Sequence, residues 1–309
     1  MQPSAVANTN NLTAFPSQFY SWQNYRCAYE VHQPINATSE GIPLLLIHPI
    51  GVGLSRQFWQ RFCRKWYNAG QPNSIYNPDL LGCGESDMPH LAYTPNDWAE
   101  QLQYFLQTVV QKPVIVVVQG ALLPVALALV QKESNLISRL VLSAPPTWAL
   151  MTNKSPEWQE KFLWNVLDSP FGSAFYRYAR TPKFLRSFSI RQLFASENTV
   201  DVEWLNTLVA GAENPASRHA VFSFLAGFWR DDYTSFIASI QQPTLAVMGE
   251  TASSISQDNK KETPDERLAH YLACLPQGRG IKINGRNVLP YESTAEFVAA
   301  IATFINEVF

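Results

Sequence analysis

Short unbroken apolar runs punctuate this chain at residues 42–47 (IPLLLI), 114–118 (VIVVV), 140–142 (LVL) and 243–248 (PTLAVM). Runs of this length, without polar alternation, predict strands buried on both faces, the pattern of a parallel sheet. Between and after them the apolar period changes to that of helices, as in residues 121–130, 264–275 and 295–305. Strand and helix patterns alternating in this way predict a parallel sheet with helices on both faces. The alternation breaks at residues 148–240, where only helical patterns occur, and resumes at Pro243. The chain therefore divides into an α/β core of residues 19–147 and 241–309, a helical insertion of 148–240, and a polar start, residues 1–18, expected to be a loose tail.

Composition narrows the class. With 309 residues, 46% of them hydrophobic and 16% charged, the chain can bury a full core and is too apolar for disorder. Lys and Arg total 23 against 25 Asp and Glu, so no basic excess points to nucleic acid. The cysteines, Cys27, Cys63, Cys83 and Cys274, show no metal-ligand or redox spacing and are expected as unpaired thiols. The first residues lack the basic start and apolar core of a signal peptide, and no run approaches the ~18 apolar residues of a membrane span. A soluble, cytoplasmic protein is the expectation.

One turn carries the chemical question. Residues 114–130 read as a buried strand, a sharp turn and an apolar helix, with Val118, Gln119, Gly120, Ala121 and Leu122 at the turn. This layout resembles the nucleophile elbow of the α/β-hydrolase superfamily, G-x-S-x-G, where small neighbours allow a strained serine. Residues 79–89, from Asp79 through Gly82, Gly84, Ser86 and Asp87 to Pro89, closely resemble that superfamily's D-x-x-G-x-G-x-S-D-x-P loop. Residues 42–51, with His48, Pro49 and Gly51, resemble its strand and oxyanion loop, H-G-x-x-G. The resemblance implies an α/β-hydrolase fold with a helical cap at 148–240.

It also implies where a catalytic triad would stand. The serine position is Gly120. The acid position, two residues after Glu250 of the Gly249-Glu250 pair, is Ala252. The histidine position, in the stretch from Gly285 to Glu292, is Val288. None of these side chains can attack a carbonyl, accept a proton or orient an imidazole. A displaced acid after the strand at 139–143 is excluded, because no Asp or Glu lies between Glu133 and Glu157. Of the histidines, His32, His90, His219 and His270 fall away from the expected site. His48 belongs to the oxyanion loop, where it orders that loop or, less simply, lines the pocket. The backbone N–H groups of Ile50 and Ala121 are the oxyanion-hole positions and could hold an anion or carbonyl.

The cap is rich in aromatic residues, from Trp148, Trp158, Phe162 and Trp164 onward. Most are expected to hold the cap together, and some, Trp148 among them, to line a hydrophobic pocket. Between Asp168 and Glu197 no acidic residue occurs, while Arg177, Arg180, Lys183, Arg186 and Arg191 accumulate among aromatics. That mixture suits an anionic membrane surface or an acidic partner, or else a solvated helix face. The cap is also similar, loosely, to those of plastid and cyanobacterial-type relatives of pheophytinase and chlorophyll dephytylase.

Three functions stay open. The chain is a non-catalytic homologue binding a hydrophobic small molecule or a protein partner through cap and vestigial pocket. Or it is a hydrolase or lyase acting on a hydrophobic ester through His48, substrate groups or bound water. Or it is an assembly factor whose pocket Leu122 and Val288 have filled. No cofactor and no metal are expected.

Overall fold

The computed structural model of the protein describes residues 15–34, 41–255 and 262–307. Its eight-stranded sheet comprises β1 (Gln18–Trp22), β2 (Tyr25–His32), β3 (Gly41–Ile47), β4 (Asn73–Pro78), β5 (Val114–Gln119), β6 (Ile137–Ser143), β7 (Thr244–Gly249) and β8 (Gly278–Ile283). Across the sheet the order is β1-β2-β4-β3-β5-β6-β7-β8. β2 is antiparallel to β1 and β4, and the pairings from β4 to β8 are parallel.

Side-chain alternation along the central strands builds two cores, one on each face. Val114, Val116 and Val118 of β5 join Leu45, Ile47, Leu140 and Leu142 on one side. Ile115 and Val117, between them, join Leu44, Leu46, Val141 and Val247 on the other. The unbroken apolar runs are thus explained, since each strand needs apolar residues at odd and even positions alike.

Helices α1 (Gln60–Asn68), α2 (Pro95–Phe105) and α3 (Leu123–Lys132) belong to the first half of the core. The cap consists of α4 (Trp148–Thr152), α5 (Glu157–Leu167), α6 (Pro170–Ala179), α7 (Pro182–Phe188), α8 (Val202–Gly211), α9 (Arg218–Ala226) and α10 (Thr234–Ser239). The chain closes with α11 (Pro264–Cys274), α12 (Leu289–Glu292) and α13 (Thr294–Ile305). Helix starts follow local chemistry. Thr94 with Asp97 and Thr263 with Glu266 form reciprocal capping boxes at α2 and α11, each followed by proline in the first turn.

The cap has only a small apolar cluster of its own, Tyr176, Val221 and Phe222 with Trp164 and Leu167 packed against it. Leu185, Phe194, Trp204 and Leu208 instead join the core that holds Phe62 of α1 and Phe297 of α13. Leu150, Trp229 and Ile237 join the opposite core. Of the polar start, residues 1–14 lie outside the described residues, while Gln18 already opens β1 and pairs with Tyr29. The four cysteines are free thiols, three of them buried. Among the described residues no helix is long and apolar enough to cross a membrane.

Candidate functional site

In open parallel sheets the loops at the carboxyl ends of the strands form the site. Here β5 ends at Gln119, and Gly120 turns the chain at φ +61° into the helix that begins at Leu123. That backbone region is disfavoured for residues with a Cβ and free to glycine. A Cβ placed on Gly120 would meet nothing within 4 Å beyond its chain neighbours. Gly120 and Ala121 are half-buried, whereas Leu122 is fully buried in the core. The turn is therefore not filled from below by Leu122.

Three loops meet at this turn. Gln119 donates from Nε2 to the Asn287 carbonyl at 2.7 Å and accepts from the Ser143 hydroxyl at 2.7 Å. Asn287 in turn donates to the Ser253 carbonyl at 3.1 Å and accepts from the Ser253 N–H at 3.4 Å. Residues 119, 253 and 287 are the chain neighbours of Gly120, Ala252 and Val288, so the three expected triad positions sit on loops bonded to one another. Ala252 and Val288 themselves are buried and apolar. Gly249 makes the junction tight, because a Cβ there would overlap the carbonyl oxygens of Gly285 and Arg286. The Thr251 N–H and hydroxyl both donate to the Gly285 carbonyl, at 3.1 and 2.9 Å.

His48 is fully buried, with both ring nitrogens engaged. Its Nε2 lies 3.1 Å from the Leu80 N–H and so accepts, which assigns the proton to Nδ1, donating to the Pro49 carbonyl at 2.7 Å. Burial pushes its pKa down, countered in part by Asp79, so the ring stays neutral. The imidazole orders the oxyanion loop and presents no free nitrogen. Among the described residues, the N–H groups of Ile50 and Ala121 have no protein acceptor, and both residues are half-buried. The Trp148 ring packs edge-on to Tyr271 at 5.2 Å and near His270 at 5.9 Å, and its backbone N–H donates to Glu262 at 3.0 Å, which ties it to α11.

The loop at residues 79–89 supports this arrangement and takes no part in it. Asp79 accepts from the Arg56 N–H at 2.8 Å, the Glu85 N–H at 2.8 Å and the Arg56 guanidinium. Gly84, at φ +57°, leaves room for that carboxylate, which any Cβ would overlap. Ser86 bridges the Asp79 carbonyl and the Ala28 N–H at 2.9 Å each, and Asp87 accepts from the Arg26 N–H at 2.7 Å. The motif thus fastens β2 and the oxyanion loop around a buried ion pair.

Of the remaining histidines, three make a side-chain hydrogen bond, and among the described residues His219 makes none. His32 bonds Glu30 at 3.0 Å, and His270 bonds Glu262 at 3.3 Å. His90 contacts Asp168 at 2.7 Å, and its ring stacks on that of His219 at 4.3 Å and 18°. These three side chains are of metal-ligand type, and their ligand atoms lie within 4.8 Å of one another. Nearly parallel stacked rings hold their lone pairs in parallel planes, so the two imidazoles as placed do not point at one ion.

The cap is bonded to the same late loop. Asn287 donates to the Gln192 carbonyl at 2.7 Å and to the Leu193 carbonyl at 3.0 Å, and Arg286 donates to the Arg191 carbonyl at 2.7 Å. On the other side, a Cβ on Gly53 would overlap Leu208, and one on Gly211 would overlap Gly53, so α8 rests backbone to backbone on the oxyanion loop. Sequence reading missed this network. Its one visible trace is Asn287, standing where the family's late loop carries its second glycine.

A model of the alpha/beta hydrolase family matches residues 44–301. Many solved structures resemble most of the chain, among them the following three. A serine hydrolase involved in carbazole degradation is 19% identical, with a TM-score of 0.70 over 94% of this chain and 99% of that one. A thermophilic esterase from Thermogutta terrifontis is 17% identical, with a TM-score of 0.71 over 94% and 98%. The enol-lactonase from Burkholderia xenovorans LB400 is 12% identical, with a TM-score of 0.70 over 94% and 100%. At these identities the likeness is one of fold. No curated protein matches the chain.

Proposed function

The chain belongs to the alpha/beta hydrolase family, and from that premise we propose that it is a non-catalytic member which binds a hydrophobic ligand beneath its cap. The observation that carries this reading is the Gly120 turn itself. Its φ of +61° and the open space above it are those of an elbow prepared for a side chain, yet glycine supplies no nucleophile. Ala252 and Val288, on the two loops bonded to it, supply no acid and no base. The free N–H groups of Ile50 and Ala121 would hold a carbonyl or carboxylate oxygen, and the aromatic cap would accept an apolar tail. The cap's loose similarity to pheophytinase and chlorophyll dephytylase relatives points toward a bulky apolar ligand as well.

The alternative, an ester hydrolase or lyase relying on His48, loses its base, because both nitrogens of that ring are engaged within the fold. An assembly factor with a filled pocket fits poorly with the space above Gly120.

The test compares the purified protein with buffer on p-nitrophenyl butyrate and p-nitrophenyl palmitate, alongside fluorophosphonate labelling and a melting curve with palmitate. The expected result is no turnover, no labelling and a palmitate-dependent rise in melting temperature, since a ligand stabilises the state that binds it. Turnover that survives purification and responds to His48→Ala would overturn the reading.

A further inference from the structure

The largest exposed apolar side chains of the cap are not scattered. On α5, Trp158, Phe162 and Val166 are spaced four apart and therefore share one face. On α6, Phe171, Phe175 and Tyr178 follow at four and three, again one face. Trp158 is 72% exposed, Phe162 60%, Phe171 83% and Tyr178 62%. The inner side of α6 is buried at Gly172, Tyr176 and Ala179, α5 turns the half-buried Trp164 and Leu167 to the same cluster, and a Cβ on Gly172 would overlap the Leu167 backbone. Apart from Tyr178, whose ring meets Phe184 edge-on at 5.2 Å, no ring contact covers the outer faces of this helical hairpin among the described residues. Contiguous exposed aromatics of this kind mark a docking surface.

The charges beside them identify what docks. Arg177 on α6 and Lys183 and Arg186 on α7 are exposed, and among the described residues none of them forms an ion pair with the protein. Arg191 is exposed too, its Nε bonded only to the Ser187 carbonyl. Arg180 drops out of the set expected from sequence, because its guanidinium is turned inward to the Ala212 and Glu213 carbonyls at 3.2 and 3.1 Å. No acidic residue interrupts residues 169–196, although the chain as a whole carries a net charge of −2. The positive charge gathers at the end of α6 and on α7, whereas α5 carries Glu157 and Glu160 against Lys161.

We propose that the α5–α6 hairpin docks the protein on an anionic lipid bilayer, with Trp158, Phe162 and Phe171 entering the interfacial layer and Arg177, Lys183 and Arg186 facing the headgroup phosphates. Aromatic rings with an amphipathic body suit the boundary between headgroup and acyl chain, and basic side chains at their rim gain from the negative surface potential. The proposal is independent of what lies above Gly120, so its failure leaves the pocket reading untouched.

The experiment is flotation of the full chain with vesicles of phosphatidylcholine alone or containing about a third phosphatidylglycerol, read at low and at physiological salt. The expected result is binding to the anionic vesicles that weakens as salt rises. The Phe162→Ser/Phe171→Ser variant should bind at least about tenfold more weakly, and Arg177→Gln/Lys183→Gln/Arg186→Gln about a hundredfold more weakly. Both sets are exposed, so unchanged melting temperatures confirm intact folding. Bromine-labelled acyl chains should quench tryptophan emission in the wild type and less so in Trp158→Phe. Three outcomes overturn the proposal: no flotation on anionic vesicles, an aromatic variant that floats as well as the wild type, or self-association through this face, broken by the same substitutions, in a protein that ignores lipid.

Discussion

At Gly120 the backbone conformation and the side chain can be separated. A Cβ there would touch nothing, so the penalty of adding one is conformational only. Gly120→Ala is expected to lower stability by about 1–2 kcal/mol, measured by denaturant unfolding, because φ is +61°. Gly120→Ser should lower it similarly and give no activity by itself, since an unassisted hydroxyl is a weak nucleophile. Gly120→Ser, Ala252→Asp and Val288→His together should produce slow hydrolysis of p-nitrophenyl butyrate; a folded, wholly inert triple variant would show that the loops no longer hold triad geometry. Gly84 gives the opposite case. There the added carbon falls on the Asp79 carboxylate, which is held by Arg56, and Gly84→Ala should cost about 3 kcal/mol or more, or prevent soluble expression.

Among the elements, strands β3, β5, β6 and β7 and the Gly120 turn were legible in sequence because each is a local pattern, whereas β1, β2, β4 and β8 carry none of the unbroken apolar runs. The apolar runs had to serve two cores, and both strand and turn fell within a few residues of one another. The loop at 79–89 was legible as a motif, but its role was not, since Gly82 admits the Tyr93 ring, Gly84 the Asp79 carboxylate held by Arg56, and Ser86 bridges to β2. The bond that joins the elbow to the late loop was invisible for the same reason. Gln119 and Asn287 lie 168 positions apart, and no periodicity links them. His48 illustrates the limit of a motif: its loop was expected, while the engagement of both ring nitrogens depends on Leu80 from the following strand's loop. Trp148 was read as a pocket residue from its place at the start of the cap, and its packing on Tyr271 of α11 is a contact that no local pattern announces. Asn287 should be the element-level test. Asn287→Ala removes bonds to Gln192 and Ser253 together, and amide hydrogen exchange across residues 189–193 and 249–255 is expected to accelerate, while that of β5 stays unchanged.

The whole molecule should be sensitive to acid, in two windows. His219 is buried with neither ring nitrogen hydrogen-bonded, and burial, aided by Arg218 and His90, lowers its pKa from 6.5 to about 4. Between those values the unfolded chain binds the proton and the folded one does not, so stability is full above about pH 6.5 and falls as the pH drops toward 4. Glu30 acts below that. Burial raises its carboxyl, but His32 and Arg56 outweigh burial and hold it below 4.5, so its contribution is lost as the pH falls through its folded value. A His219→Phe variant should flatten the upper window and leave the lower one, as followed by melting temperature against pH.

The cap is held to the core on several sides, by Asn287 and Arg286 on the late loop, by the glycine contact of α8 with the oxyanion loop, by the Tyr93 N–H on the Ser223 hydroxyl and by Arg61 on Asp201 and Glu203. A roof fastened in this way does not swing freely. For the ligand proposed above Gly120, exit would require those fastenings to yield, and its residence time would follow the opening rate of the protein more than the strength of its own contacts. A chase experiment with excess competitor would then give one dissociation rate for ligands of quite different affinity.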